Sequence, residues 1–259
     1  MCAKFRALSN AQKNKDVVVN CIRSLCLMLI SLSVFSSAQA TEVLLSHVKA
    51  TSQAMSAFYM QILSEGNEKY LSEFEKYKQQ SFMLLKQYDE DKTPQSKELM
   101  SRWQSFSDRL VLTLDKEYGW EVDSHVRQDF RSYLSDVYQL IDQQKNNYSS
   151  KAHKQLLSAV QMEAISARFF DISSLFNVKV SIFASDKNKL DPKNISLDFK
   201  QNLDALANMS ESASAKRKLA SAKSKWEFVE KSVVDYEGHG AYFVVYATKN
   251  KIQRSLAAL

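Results

Sequence analysis

Glycine and proline are nearly missing from this sequence, with four and two residues in 259. A sheet-rich chain of this length needs many turns built from those residues, whereas helical bundles need few. The shortage therefore points to helices. Cysteine is scarcer still where it matters. The three cysteines are Cys2, Cys21 and Cys26, all within the first 40 residues. If that lead is removed, the remaining chain has no disulfide and no thiolate metal site. Also absent are a G-x-S-x-G elbow, a glycine-rich phosphate loop, a C-x-x-C-H haem signature and any E-x-x-H pair. Those gaps leave nucleophilic, nucleotide, c-type haem and di-iron chemistry without their usual residues, and the chain reads as a non-enzyme with no cofactor.

What is present begins with a leader. Lys4, Arg6, Lys13, Lys15 and Arg23 precede an apolar run of 11 residues, Leu25 to Phe35. Ala38-Gln39-Ala40 then supplies the small-residue pattern cut by signal peptidase. The run is too short for ~30 Å of hydrocarbon, and extending it back to Val17 brings in Asn20 and Arg23. The expectation is a signal peptide over 1–40, cleavage before Thr41, and a periplasmic product. The leader holds five basic residues and one acid, which leaves 30 and 28 of the chain's 35 and 29. The high pI belongs mostly to the leader, so nucleic acid is not an expected partner.

After the leader, apolar residues recur at helical spacing. Val43, His47, Ala50, Ala54, Ala57 and Ile62 mark a first helix ending near Gly66. Asn67 caps a second, with Tyr70, Phe74, Tyr77, Leu84 and Tyr88 on one face. Thr93-Pro94 opens a third, carrying Leu99, Trp103, Phe106, Leu110 and Leu114 and stopping near Gly119. The fourth carries Val122, Val126, Phe130, Tyr133, Val137 and Leu140, up to a polar stretch at 145–150. Leu157, Val160, Ala164, Ala167 and Phe170 form the fifth. Val178, Val180 and Ile182 alternate like a short strand inside an irregular connection, Asn177 to Ile195. Phe199, Leu203 and Leu206 mark the sixth helix. Leu219, Ala222, Trp226, Val229 and Val233 mark the seventh. Tyr242, Val245, Ile252 and Leu256 mark the eighth, with Lys249 as a polar interruption.

The two halves echo each other. Phe74 to Trp103 spans 29 positions and Phe199 to Trp226 spans 27, and each tryptophan is followed closely by a phenylalanine. The predicted fold is all-α, with about eight helices in two tandem antiparallel four-helix units, 41–148 and 149–259.

The fifth helix, Gln161-Met162-Glu163-Ala164-Ile165-Ser166-Ala167-Arg168-Phe169-Phe170, resembles the R-M-L-S-Q-R helix of the PilJ-type domain. That domain is the periplasmic four-helix input module of type IV pili chemotaxis transducers, related to nitrate/nitrite sensors. Phe199-Lys200-Gln201-Asn202-Leu203-Asp204-Ala205-Leu206 with Trp226 downstream resembles its F-x-x-x-L-x-x-L…W pattern, and Ser52 to Tyr59 is a fainter echo. The resemblance implies a small ligand, or a membrane sensor kinase or chemotaxis receptor as partner. It also implies either a homodimer or a tandem standing in for one. It marks Gln161, Ser166 and Arg168 as candidate ligand-binding residues. The anion-binding arginine of the nitrate sensors falls here on Glu163, where a carboxylate would repel nitrate.

Other candidates are weighed on the residues alone. Arg168 is either an anion fork or the i,i+3 partner of Asp171. Glu121 and His125, four apart on the predicted fourth helix, offer at most two metal ligands. The four histidines, His47, His125, His153 and His239, are scattered and read as surface residues, so no metal site is expected. Trp103 and Trp226 fit core positions or a pocket wall. The run Lys216-Arg217-Lys218 reads as a solvated helix face.

Overall fold

The computed structural model describes residues 39–89, 93–115, 119–122, 124–143, 150–174, 191–235 and 241–259. The leader's apolar run and the alternation at Val178 to Ile182 lie outside them. The chain divides into two units, Met1–Thr41 and Glu42–Leu259, and every contact described below lies within the second.

Eight helices account for nearly all the described residues. They are α1 (39–63), α2 (Glu68–Tyr88), α3 (Pro94–Asp108), α4 (Ser124–Gln143), α5 (Lys151–Ser173), α6 (Pro192–Asn208), α7 (Ala213–Val234) and α8 (Tyr242–Ala257). The predicted all-α fold of about eight helices is what the chain adopts. The caps are written in the sequence. Asn67, Thr93, Ser150, Asp191 and Ser212 each accept a backbone N–H in the first turn of α2, α3, α5, α6 and α7. Such a cap typically contributes about 1 kcal/mol. Pro94 and Pro192 sit at the start of their helices, where a missing N–H costs nothing. Pro192 to Ile195 therefore belong to α6 and not to the irregular connection.

Two boundaries differ from the periodicity. α3 stops at Asp108, and Leu112–Asp115 (β1) pairs antiparallel with Gly119–Val122 (β2), Leu112 opposite Val122 and Leu114 opposite Trp120. Leu114 is thus on a strand and 65% exposed, while Trp120 packs against the core. Glu121 and Val122 are also on β2, so Glu121 and His125 do not share a helix. On α2 the buried leucine is Leu85 and not Leu84, because the stripe runs Tyr70, Phe74, Ser81, Leu85.

α5 to α8 close a ring, each helix packing on the next and α8 returning to α5. In the first half α2 packs on α3 and α3 on α4, and His47 of α1 bonds to both α2 and α4. α1 and α5 then lie against each other. Gln53 Nε2 donates to Glu163 Oε1 (3.1 Å), Tyr59 lies in the field of Asp171, and Glu42 in that of His153. The partners are 110, 112 and 111 positions apart, so the two helices run parallel and in register. One cluster of buried side chains runs from Leu44 to Leu256 through both rings. Between two rings a helix has no solvent face. Every residue of α5 from Ser158 to Ile172 is buried, and α1 is buried nearly all round from Leu44 to Leu63.

Candidate functional site

The three residues singled out on α5 do not converge. Ser166 Oγ donates to the Met162 carbonyl of its own helix (2.7 Å), a bond that uses its proton locally. Arg168 Nη1 donates to Asp171 Oδ2 at 3.2 Å, so the i,i+3 pairing is the one realised. Asp171 also meets Arg127 of α4, whose Nη1 donates to the Asp171 carboxylate and carbonyl and whose Nη2 donates to Ser174 Oγ. Both arginines are largely buried, with side-chain exposures of 14% for Arg127 and 8% for Arg168. The Arg127 guanidinium also lies 5.3 Å from the Tyr59 ring centroid. Burial, then the Asp171 carboxylate, pushes the Tyr59 hydroxyl well above its usual range. The internal anion at Arg168 is a carboxylate of this chain.

Glu163 is also committed internally. Its Oε2 accepts from Lys249 Nζ of α8 (2.7 Å) and its Oε1 from Gln53 of α1. The lysine that interrupts the eighth stripe therefore belongs in the core. Its ammonium lies 4.9 Å from the Tyr246 ring, and the Tyr246 hydroxyl donates to Glu73 of α2. This network ties α1, α2, α5 and α8 together and leaves the Glu163 carboxylate with both oxygens bonded.

His47 is a third buried polar centre, fully enclosed rather than at the surface as expected. Its Nδ1–H donates to the Ser81 carbonyl (2.9 Å), and its Nε2 accepts from the Tyr133 hydroxyl (2.6 Å). Ser81 Oγ lies 2.7 Å from Thr51 Oγ1, which donates to the His47 carbonyl. Trp103 approaches the imidazole edge-on at 5.3 Å. Burial holds the His47 pKa down to about 4, against the Ser81 bond that raises it. The imidazole is neutral and saturated, and it serves packing. Trp103 and Trp226 are both core, and Trp226 Nε1 donates to Ser196 Oγ. Lys216 and Arg217 are exposed.

Gln161 is different because it faces a cavity of about 200 Å³. The cavity lies where α1, α4, α5 and α6 meet. Its apolar walls are Leu45, Ile141, Leu157 and Ile195, and Tyr138 adds an aromatic face. His153, Leu157 and Gln161 follow each other at i, i+4 and i+8 along α5. Asp142 and Asp198, both exposed, also line it. Gln161 Oε1 accepts from Asn202 Nδ2 (3.0 Å). Burial lowers the His153 pKa, partly offset by Glu42, so the ring is neutral at pH 7. Sequence reasoning reached Gln161 through the family resemblance. The i, i+4, i+8 spacing from His153 was the signal for the rest, but it could not reveal that α4 and α6 leave the groove unfilled.

Among the described residues no group of three or more His, Cys, Asp or Glu side chains is placed to hold a metal, and no helix is long and apolar enough to cross a membrane. His125 is exposed on α4, and His239 lies outside the described residues. Comparison with models of protein families, with curated proteins and with solved structures finds no match.

Proposed function

We propose that this chain is an exported, non-catalytic input module that binds a small molecule in the cavity between its two helical rings and reports to a membrane receptor. The carrying observation is the cavity's position, with walls from α1 and α4 of the first half and α5 and α6 of the second. A molecule bound there touches both halves, so it favours one packing of α1 against α5 over another, which is what a sensor requires. The leader supports a periplasmic location, and the resemblance of α5 and α6 to the PilJ-type domain supports an input role. The buried Glu163–Lys249 pair occupies the position of the nitrate sensors' arginine, which argues against anion sensing by that route.

Thermal unfolding in the presence of a broad panel of small anions, amino acids and amines tests this reading. The expected result is a saturable rise in Tm with at least one class, abolished by Leu157→Trp, which fills the cavity. A panel with no shift removes the ligand reading.

A second reading draws on exposed apolar side chains. Phe228 on α7 is 74% exposed, and Phe243 and Val244 on α8 are 49% and 48% exposed. They favour an envelope interaction protein that docks a helix face and needs no ligand. A stable complex recovered from envelope extracts and lost on Phe228→Ser is its expected signature.

A further inference from the structure

We propose that the outer face of α7 and α8 is a docking surface for a lipid bilayer that carries anionic headgroups. The inference goes beyond the cavity reading, and it gives the exposed apolar side chains a lipid surface as partner in place of a protein.

Two stripes in register build the face. α7 and α8 pack side by side. Lys218 Nζ, in the first half of α7, donates to the carbonyl of Ala258, just past the end of α8 (2.7 Å). The two helices are therefore antiparallel. From Lys218, helical spacing carries one stripe through Ser221, Lys225 and Phe228. From Ala258 the same spacing leads back through Arg254, Lys251, Ala247 and Val244. Lys218 and Lys225 are half-buried and every other member is exposed. Phe228 lies about 15 Å along α7 from the Lys218–Ala258 contact, level with the stretch between Ala247 and Lys251.

The charge on this face has one sign. Lys218 bonds to the Ala258 carbonyl, Lys225 to Ser221 and Arg254 to the Asn250 carbonyl, all neutral acceptors. Among the described residues neither these cations nor Lys251 pairs with an acid. α8 contains no aspartate or glutamate. The acids of α7 turn toward α6. Glu230 accepts from Ser196 and Lys200, and Glu227 acts on Lys223, which is itself paired with Asp204.

Beside the cations stands Phe228, the most exposed large apolar side chain among the described residues, with Val244 and Phe243 at the start of α8. A bilayer interface takes both kinds of group. The rings enter the boundary between headgroups and acyl chains, while lysine and arginine stems lie along it and their charged ends reach phosphates. Anionic lipid adds attraction for each basic side chain near the surface. A protein partner typically anchors in a pocket, whereas Ser221 and Ala247 are small and leave this face shallow.

Co-sedimentation of the full chain with phosphatidylcholine vesicles, with and without phosphatidylglycerol, tests the assignment. Binding is expected only where phosphatidylglycerol is present, and it should weaken as salt rises. Lys251→Gln with Arg254→Gln is expected to cut that binding at least about tenfold. Phe228→Ser should cut it about fivefold. All three positions are exposed, so the variants are expected to keep their circular dichroism and Tm. Parent and variants share the same leader, and the added emission of a Phe228→Trp variant reports from the face itself. That emission should shift to the blue on phosphatidylglycerol vesicles alone. Equal binding to both vesicles, full binding by the double variant or an unshifted emission would overturn the assignment. Absence of any vesicle binding would overturn it too, and an envelope protein captured by the parent chain but not by Phe228→Ser would then make the face a protein-docking site. None of these outcomes touches the cavity, which the thermal panel tests separately.

Discussion

The carboxylate of Glu163 and the ammonium of Lys249 meet at 2.7 Å with side-chain exposures of 0% and 3%. They are 86 positions apart, on α5 and α8. Taking both charges out of water is costly, and the pair is tolerable because Gln53 also bonds Glu163 and the Tyr246 ring faces Lys249. Removing one partner leaves the other charge buried alone. Lys249→Met is expected to cost about 3–5 kcal/mol, while Glu163→Met with Lys249→Met recovers most of that loss. Urea unfolding of the two single variants and the double variant closes the cycle. A double variant no more stable than the worse single would mean that the pair is not the source of the cost.

His47 gives the protein a pH dependence with a definite sign. Its folded pKa, held near 4, lies below the ordinary 6.5. The native state therefore binds the proton less readily than the unfolded chain. The contribution is fully present above pH 6.5 and is lost as the pH falls toward 4. It amounts to on the order of 3 kcal/mol across that window. His153, also lowered by burial, adds in the same direction. Urea midpoints measured between pH 7 and 4 should fall, and His47→Gln should flatten that fall even though it lowers stability at pH 7. An unchanged slope in the variant would assign the effect elsewhere.

The α1–α2 turn makes a prediction of each sign at adjacent residues. Gly66 N–H donates to the Gln61 carbonyl and Glu65 N–H to the Ile62 carbonyl, the paired bonds of a Schellman ending. Glu65 takes φ 58°, a left-handed value that glycine holds more cheaply. Glu65→Gly is expected to stabilise by up to about 1 kcal/mol. Gly66 has φ 87°, and a Cβ there would fall 2.5 Å from Trp120 Cζ2. Gly66→Ala therefore both strains the turn and pushes the tryptophan off the core. We expect a loss of at least about 1 kcal/mol together with a red-shifted Trp120 emission. An unshifted spectrum would mean that the tryptophan does not rest on this turn.

Most of the architecture was legible in the sequence because helices write their buried faces at a period of 3.6. Every residue of the predicted α6 and α7 stripes is buried, although Ile195, Ser196 and Ala215 extend them toward the helix starts, and Asn67 and Thr93-Pro94 mark the starts of α2 and α3. The hairpin was missed because Leu110 and Leu114 continue the α3 spacing by chance, although the chain has already left the helix at Asp108. The full burial of α5 was missed for another reason. Its second face is built of Ser158, Ala159, Ser166 and Arg168, which look solvent-facing until a second ring packs on them. Lys249 read as an interruption because its partner is on another helix, and no local pattern announces such a pair. The cavity was out of reach for the same reason: a void is a property of how helices meet.

Arg127 and Arg168 converge on one carboxylate, so Asp171 answers two cations at once. It bonds to both guanidiniums and its carbonyl accepts from Arg127 as well. Asp171→Ala leaves two largely buried cations facing each other without that anion, and the expected loss is about 3–5 kcal/mol. Asp171→Asn keeps one acceptor oxygen and should lose less. The vacated space in the alanine variant has the size and charge for a small anion, so sulfate or chloride should restore Tm in that variant well beyond its effect on the parent protein. Salt that raises both proteins equally would show that the arginines find other partners when Asp171 is gone. A selective rescue would show that Arg168 can act as an anion fork, its anion supplied in the parent protein by the chain itself three residues downstream.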